Sequence, residues 1–190
     1  MAATTRRTAH ERFRRIAAAR GIAAALALVV VVGAASGARA DALSAGMRAY
    51  QRHDYGLASQ LLLIAAERGS PTAQTYLGYM YQHGLGVPRD YAVSASWLNQ
   101  AAVQGEPTAQ FLLGLLFDKG YGVPQDWVQA EVWLNLAASQ APGRQRDAWE
   151  RVRDAVAQKL TLDQLAEAQR RAFAWTPVAA GRAGPVSARF

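Results

Sequence analysis

The residue pattern that most suggests chemistry is a pair of glycines in a Gly-x-Gly arrangement, found at Gly84/Gly86 and again at Gly120/Gly122. Glycine-rich turns can hold phosphate groups, but that chemistry needs a preceding strand and a third Gly or a Lys-Ser/Thr at fixed spacing. Neither feature accompanies either pair. Because the flanking residues recur with the glycines at an offset of 36 residues, the pattern is typical of a structural turn in stacked units.

Histidine and carboxylate side chains, the other common catalytic groups, do not form a recognisable motif. His10 lies in a basic N-terminal segment, and His53 and His83 lie where helices are predicted to end. A lone His at such a position is most often a surface residue near the negative end of a helix dipole. Glu150 and Asp154 fit the solvated face of one helix, and no H-E-x-x-H, G-x-S-x-G or EF-hand motif is present. The sequence therefore predicts no catalytic residue, metal ligand or cofactor.

Each Gly-x-Gly stretch has the features of a helix end, a tight turn and a new helix start. Gly84 and Gly120 can adopt the left-handed conformation that ends a helix. The prolines that follow cannot continue a helix, and they favour extended geometry at the residue before them. Asp90 and Asp126 are then suitable N-caps, each worth about 1 kcal/mol relative to Ala. The stretch is therefore predicted to join the two helices of one unit.

An all-α domain over residues 41–175, built from helix pairs, follows from this spacing. The predicted units are 42–69, 70–105 and 106–141, followed by two end helices within 144–175 that close the stack. Gly78 and Gly114 lie in the middle of predicted helices, where Gly costs about 1 kcal/mol relative to Ala. Because the Gly recurs at one position of the unit, we expect a neighbouring backbone to approach too closely for a side chain.

The first 40 residues have the three-part form of a secretory signal peptide. A basic segment extends to Arg20, an apolar stretch follows, and Ala38-Arg39-Ala40 forms an A-x-A site. We expect cleavage before Asp41 and an exported, periplasmic protein; a leader retained as a membrane anchor is the alternative. Exposure to an oxidising compartment would form no disulfides, because the chain has no Cys.

The net charge of +7 belongs mainly to this leader. Residues 1–40 carry 7 Arg and 1 Glu, whereas the rest of the chain carries 14 Lys and Arg against 13 Asp and Glu. The rest of the chain therefore gives no electrostatic reason to expect nucleic-acid binding. Residues 176–190 are rich in Pro, Gly and Ala without periodicity, and a disordered tail is predicted there.

The unit resembles the Sel-1-like repeat, a relative of the tetratricopeptide repeat with a longer Gly-x-Gly-Val turn. The resemblance depends on Leu77-Gly-Tyr-Met-Tyr-x-x-Gly-x-Gly-Val with the Ala95-x-Trp97 that follows, and on the second copy from residue 113 to 138. That copy departs by carrying Ala130 one step before the position of Ala95, and Ala141 in place of the last Gly.

The resemblance implies a right-handed α-solenoid that serves as an adaptor or scaffold. Exported bacterial relatives of this kind are associated with envelope signalling, exopolysaccharide regulation and host interaction. A Cys-rich subgroup binds or hydrolyses β-lactams, but this chain lacks every Cys of that subgroup.

The first helices of such solenoids line a concave face, so the resemblance also implies a groove for a protein partner. Its groove-facing residues in this chain would be Leu43, Met47, Tyr50, Thr75, Tyr79, Gln82, Phe111, Leu115 and Asp118. A largely apolar and aromatic row suits an extended or helical segment of a partner, although several of these side chains could instead be core. The predicted function is a non-catalytic interaction scaffold or adaptor of the bacterial cell envelope. The alternatives are an envelope hydrolase of β-lactam-related type and a membrane-tethered envelope component.

Overall fold

The computed structural model describes residues 42–177, and this part of the chain consists of helices and connecting turns without a β-strand. The helices are α1 (42–51), α2 (Tyr55–Glu67), α3 (Pro71–His83), α4 (Tyr91–Ala102), α5 (Pro107–Lys119), α6 (Trp127–Gln140), α7 (Gly143–Ala157) and α8 (Leu162–Ala174). The predicted all-α fold of consecutive helix pairs is confirmed. The end helices span 143–174, one residue earlier at each end than the predicted 144–175. Pro142 is the extended N-cap of α7, and the extended conformation of Trp175 ends α8.

Two of the sequence predictions fall outside the described residues. These are the leader, residues 1–40, and all of the predicted tail beyond Pro177. Among residues 42–177, no helix is both long enough and apolar enough to cross a membrane.

The helices pack mainly on their neighbours in sequence. α3 packs on α4 and α5 on α6, while α6 also packs on α7 and α8. Each second helix contributes small residues to the core, so the backbones approach closely. The paired helices therefore share a core made largely of Ala and Leu side chains.

Both Gly-x-Gly turns have the predicted geometry. Gly84 has a φ of 70°, and the Leu85 N–H donates to Met80 O at 2.9 Å, which is the hydrogen bond of a Schellman ending. Gly86, the second glycine of this turn, is required for a different reason. A Cβ on Gly86 would lie 2.2 Å from Tyr55 O, so only Gly lets this turn contact the start of the preceding unit's second helix. The turn therefore positions one unit on the next as well as ending a helix.

A glycine on each first helix faces a leucine on its second helix, and the contact occurs in all three units. The pairs are Gly46 with Leu62, Gly78 with Leu98, and Gly114 with Leu134. A Cβ on Gly78 would lie 2.5 Å from Leu98 Cγ, whereas the nearest backbone atom, Ser94 O, is 3.3 Å away. The expectation that a backbone excludes the side chain is therefore wrong in its detail: the leucine side chain is the closest obstacle.

Glutamine side chains link successive units through backbone carbonyls. Gln74 donates to Ala66 O at 3.1 Å, and Gln104 donates to Gln74 Oε1 at 2.8 Å. The next unit repeats the arrangement with Gln110 and Gln140, whose side chains are 3.0 Å apart. Each buried first-helix amide thus satisfies a carbonyl at the end of the preceding unit, which fixes the stacking of the units.

Candidate partner-binding cleft

The first helices α1, α3 and α5 surround an open cleft of about 470 Å³. Its lining combines tyrosine rings, hydroxyl groups, two aliphatic side chains and one carboxylate. The lining residues are Met47, Tyr50, Thr72, Thr75, Tyr76, Tyr79, Glu106, Thr108 and Leu112. The cleft can therefore offer apolar contact along its length and hydrogen-bonding groups at its edge.

The aromatic side of the cleft is a group of tyrosines held by mutual contact. Tyr50 of α1 meets Tyr76 of α3 edge-to-face, with ring centroids 5.0 Å apart, and Tyr55 in the same way at 5.3 Å. Burial, together with Tyr79, Tyr55 and Tyr76, raises the pKa of Tyr50, so its hydroxyl keeps its proton at neutral pH. Tyr79 is 36 % exposed and contacts His83 at 4.2 Å between ring centroids. Tyr79 is therefore the ring most available to a ligand on this side.

The polar edge of the cleft is Glu106, the N-cap of α5. Its Oε2 accepts a hydrogen bond from the Ala109 N–H, which satisfies one free donor at the start of the helix. The Thr75 hydroxyl lies 3.1 Å from the same oxygen and 2.8 Å from Pro71 O. A hydroxyl has one proton, so Thr75 divides it between these two acceptors. Thr75 is 8 % exposed and thus belongs to the floor of the cleft.

Two residues of the predicted row, Phe111 and Asp118, do not line the cleft, because α7 and its C-terminal turn contact them. Phe111 stacks on Trp149 of α7, with ring centroids 4.7 Å apart and planes at 11°. Asp118 is 4 % exposed and pairs with Lys159 just after α7 and with Lys119 at 2.9 Å. The prediction of one continuous groove along all three units is therefore wrong in the third unit.

Burial alone would raise the pKa of Asp118, but hydrogen bonds from Lys159 and Lys119 outweigh that effect and hold the pKa below its usual range. The Asp118 carboxylate is consequently charged at neutral pH and engaged in the protein. It serves to attach the end of α7 to α5 rather than to present charge to a partner.

Three further residues of the predicted row, Leu43, Gln82 and Leu115, do not line the cleft. Leu115 is half-buried on α5, and Gln82 is half-buried on α3 with an Oε1 that has no hydrogen-bond partner within the described chain. Leu43, like Met47 and Tyr50, packs against the buried core formed by α1, α2 and α3. Of the nine residues, the structure thus brings Met47, Tyr50, Thr75 and Tyr79 together.

The sequence reasoning missed five of the lining residues. These are Thr72, Tyr76, Glu106, Thr108 and Leu112. Helical spacing could have indicated Thr72 and Tyr76, which lie seven and three residues before Tyr79 and so share its face. Glu106 had no such signal, because an N-cap residue reaches the cleft only when two units are stacked.

A second carboxyl group stands apart from the cleft. Glu131 of α6 is 3 % exposed, and its Oε2 has no hydrogen-bond partner in residues 42–177. Burial raises the pKa of Glu131 to about 7, and the positive charge of Arg153 only partly opposes it. No group of three or more His, Cys, Asp or Glu that could hold a metal ion occurs in the described range.

Comparison with known proteins agrees with this geometry. The sequence profile of the Sel1 repeat matches residues 71–106 and 107–142. The crystal structure of a protective antigen from uropathogenic Escherichia coli strains, which displays an SLR fold, is similar over 70 % of this chain at 28 % identity, with a TM-score of 0.65. A Sel1 repeat protein from Oxalobacter formigenes is similar over 53 % at 36 % identity, with a TM-score of 0.51.

Both solved structures are much longer than this chain, which covers 29 % of the first and 40 % of the second. No curated protein matches the chain. The comparisons therefore concern the repeats and their stacking.

Proposed function

We propose that this chain is an interaction scaffold that binds a segment of a partner protein in the cleft between α1, α3 and α5. Support comes from the match of residues 71–142 to the Sel1 repeat and from the similarity to a solved structure with an SLR fold. The observation that carries the proposal is the open cleft, whose lining combines the rings of Tyr50, Tyr76 and Tyr79 with the carboxylate of Glu106. Tyrosine is enriched among the residues that dominate binding energy, since it gives a large contact area at low entropic cost.

The size and shape of the cleft favour an extended segment. An extended chain advances about 3.3 Å per residue, so a few residues cross three neighbouring first helices. Apolar side chains of the segment would contact Met47 and Tyr79, while its polar groups would face Thr72 and Thr108. The partner is thus recognised by a short stretch of its chain rather than by a broad flat surface.

We further propose that the protein acts outside the cytoplasm, in the bacterial cell envelope. The support is the three-part leader with its A-x-A site before Asp41. N-terminal sequencing of the exported protein tests this location. A chain that begins at Asp41 supports it, whereas an intact leader in the membrane fraction favours the tethered alternative.

An envelope hydrolase is not favoured by any particular feature of the described residues. Glu131 has the raised pKa that often marks a catalytic carboxyl. However, it is buried on α6 and does not line the cleft. Its environment is better explained as a structural site between packed helices.

Substitution of Tyr79 tests the scaffold proposal. We expect Tyr79→Ala to weaken retention of a partner from envelope extract by about tenfold or more, because it removes the exposed ring of the cleft. The melting temperature should change little, since 36 % of this residue is exposed. Tyr121→Ala is the matched control, because Tyr121 is 48 % exposed and lies in the turn after α5.

Equal partner retention by the two variants would contradict the proposal. Cooperative unfolding of Tyr79→Ala at a much lower temperature would instead identify Tyr79 as a core residue. The comparison should therefore be made on protein whose helical content has been checked by circular dichroism.

A further inference from the structure

After α8, the chain turns back across the repeats. Trp175 meets Trp133 of α6 edge-to-face, with ring centroids 6.4 Å apart. Pro177 then lies beside Gly105: its Cβ is 3.4 Å from the position that a Cβ would take at Gly105. The described chain therefore ends next to the junction of α4 and α5. Gly105 directly precedes Glu106, the carboxylate of the cleft.

The segment that follows is long enough to enter the cleft. Residues 178–190 comprise thirteen residues. Consecutive Cα atoms are 3.8 Å apart, and each extended residue adds about 3.3 Å. Because Glu106 adjoins Gly105, about three or four extended residues are sufficient to pass from Pro177 to the cleft.

The charges of the segment and the cleft are complementary. Residues 178–190 contain Arg182 and Arg189 and no Asp or Glu. The cleft lining contains the carboxylate of Glu106 and no Lys or Arg. Glu106 uses Oε2 for its hydrogen bonds with Ala109 and Thr75, which leaves Oε1 to accept from a guanidinium group.

The remaining residues of the segment suit an aromatic surface. Pro185 and Val186 follow Arg182 within the segment. Tyrosine-lined grooves bind extended proline-containing segments, whose restricted backbone loses little entropy on binding. Tyr76 and Tyr79 supply such a surface in the same cleft as Glu106.

From the position of Pro177, the length of the segment and its charge, we infer that residues 178–190 bind in the cleft of the same chain. One arginine pairs with Glu106, and Pro185 contacts the tyrosine rings. The inference rests on the proposed function, because it makes this segment a competitor of the partner for one site. A tethered segment has an effective concentration of about millimolar, so even weak intrinsic affinity keeps the site largely occupied.

Disulfide trapping in the full chain tests the inference, because the natural sequence has no Cys. Thr72→Cys places one thiol in the cleft, and Ser187→Cys places the other in the segment. In a glutathione buffer we expect the intramolecular disulfide to form readily in monomeric protein. Adding Arg182→Ser and Arg189→Ser should lower its equilibrium constant by about tenfold, the effect of losing a charge-assisted pair.

The arginine substitutions are the decisive comparison, since they lie outside the described helices and keep the length of the segment unchanged. A tether without affinity for the cleft would trap equally well with or without the two arginines, and that result would overturn the inference. A disulfide-linked dimer as the main product would also overturn it, in favour of exchange of the segment between two copies.

Partner retention separates this inference from the proposed function. A chain ending at Pro177 keeps all eight described helices and the contact of Trp175 with Trp133. We expect it to retain partner more strongly than the full chain, and a synthetic peptide of residues 178–190 should reverse the gain. Retention that depends on Tyr79 but is unaffected by removal of the segment contradicts the inference alone. Arginine-dependent trapping without Tyr79-dependent retention contradicts the proposed function alone.

Discussion

The second and third repeat units have the same frame and differ at the residues that determine what each unit does. Gly78 and Gly114 occupy equivalent positions 36 residues apart, and each contacts a leucine of its second helix. The next residue is Tyr79 in the second unit, on the open cleft, but Leu115 in the third unit, half-buried on α5. The frame residues make the units stack, and the variable positions between them leave an open cleft at one unit and a packed contact at the other.

The helix that lies next to the first helix of each unit explains much of this difference: it is α5 for the second unit and α7 for the third. In the second unit, Thr75 faces Glu106 of α5 across the floor of the cleft. At the equivalent position in the third unit, Phe111 stacks on Trp149 of α7. The larger aromatic pair fills the space that remains open one unit earlier, so the same face of the repeat is a cleft at one place and a packed contact at the next.

The second helices differ as well. Ser94 of α4 donates a buried hydrogen bond to Gly78 O at 2.7 Å, whereas the equivalent residue of α6 is Ala130. The next position is Ala95 in α4 and Glu131 in α6, both buried. One unit thus contains a satisfied hydroxyl, and the other contains a carboxyl with one oxygen that no group of residues 42–177 hydrogen-bonds.

The largest expected effect tests the shared frame. Gly78→Leu and Gly114→Leu should each lower the free energy of unfolding by about 3 kcal/mol or more, because the new side chain overlaps Leu98 or Leu134. Urea denaturation followed by circular dichroism measures this loss. Gly56→Ala is the control, since nothing lies within 4 Å of a Cβ there, and it should stabilise the helix by about 0.5–1 kcal/mol. If Gly78→Leu or Gly114→Leu has the stability of the wild type, the glycine of that unit is not needed for helix packing.

A pH effect of intermediate size tests the difference between Ala95 and Glu131. The pKa of Glu131 is raised from 4.5 to about 7 in the folded protein. The unfolded state therefore releases this proton more readily, and stability falls as pH rises from about 4.5 to 7. The loss amounts to about 3 kcal/mol above pH 7.

The isosteric variant Glu131→Gln should remove this dependence, because it stays neutral at every pH. We expect the free energy of unfolding at pH 8, measured in urea, to exceed that of the wild type by up to about 3 kcal/mol. The difference should disappear near pH 4.5. Ala95→Gln in the second unit is not equivalent, since it adds volume to a packed core. Parallel pH profiles of wild type and Glu131→Gln would show that the carboxyl is relaxed or solvated.

The smallest expected effect concerns the hydroxyl of Ser94. Ser94→Ala makes this position of the second unit like the third, which has Ala130. The free energy of unfolding should fall by about 1 kcal/mol, because Gly78 O loses its buried side-chain donor but keeps the rest of its environment. The converse variant, Ala130→Ser, offers the same donor to Gly114 O and should be neutral or slightly stabilising. Clear destabilisation by both changes would show that the units are not equivalent in backbone geometry.

The helix ends could be predicted because they depend on local chemistry. Asp90 accepts hydrogen bonds from the Ala92 and Val93 N–H groups at the start of α4, as an N-cap does. Gly84 takes the left-handed conformation that a residue without Cβ adopts at no steric cost. Signals of this kind involve residues close in the chain, and the repeat presents each of them twice.

The candidate site could be predicted only in part, because its residues come from different units. The resemblance to the repeat family implied Met47, Tyr50 and Tyr79 as groove residues of the first helices, and the structure places them in one cleft. Glu106 was not found, since its role at the cleft depends on how α5 stacks on α3. Phe111 and Asp118 were assigned to the same groove, but the contacts made by Trp149 and Lys159 arise from residues far along the chain.

By itself, the sequence determined the class of fold, the period of the units and the turns that join their helices, because hydrophobic period, capping and glycine act over a few residues. Tertiary structure decided which side chains share a surface and which are withdrawn from it. The reason is that burial is a property of assembled helices: α7 occupies Phe111 and Asp118 in one unit, while the equivalent face of the preceding unit remains open around Tyr79.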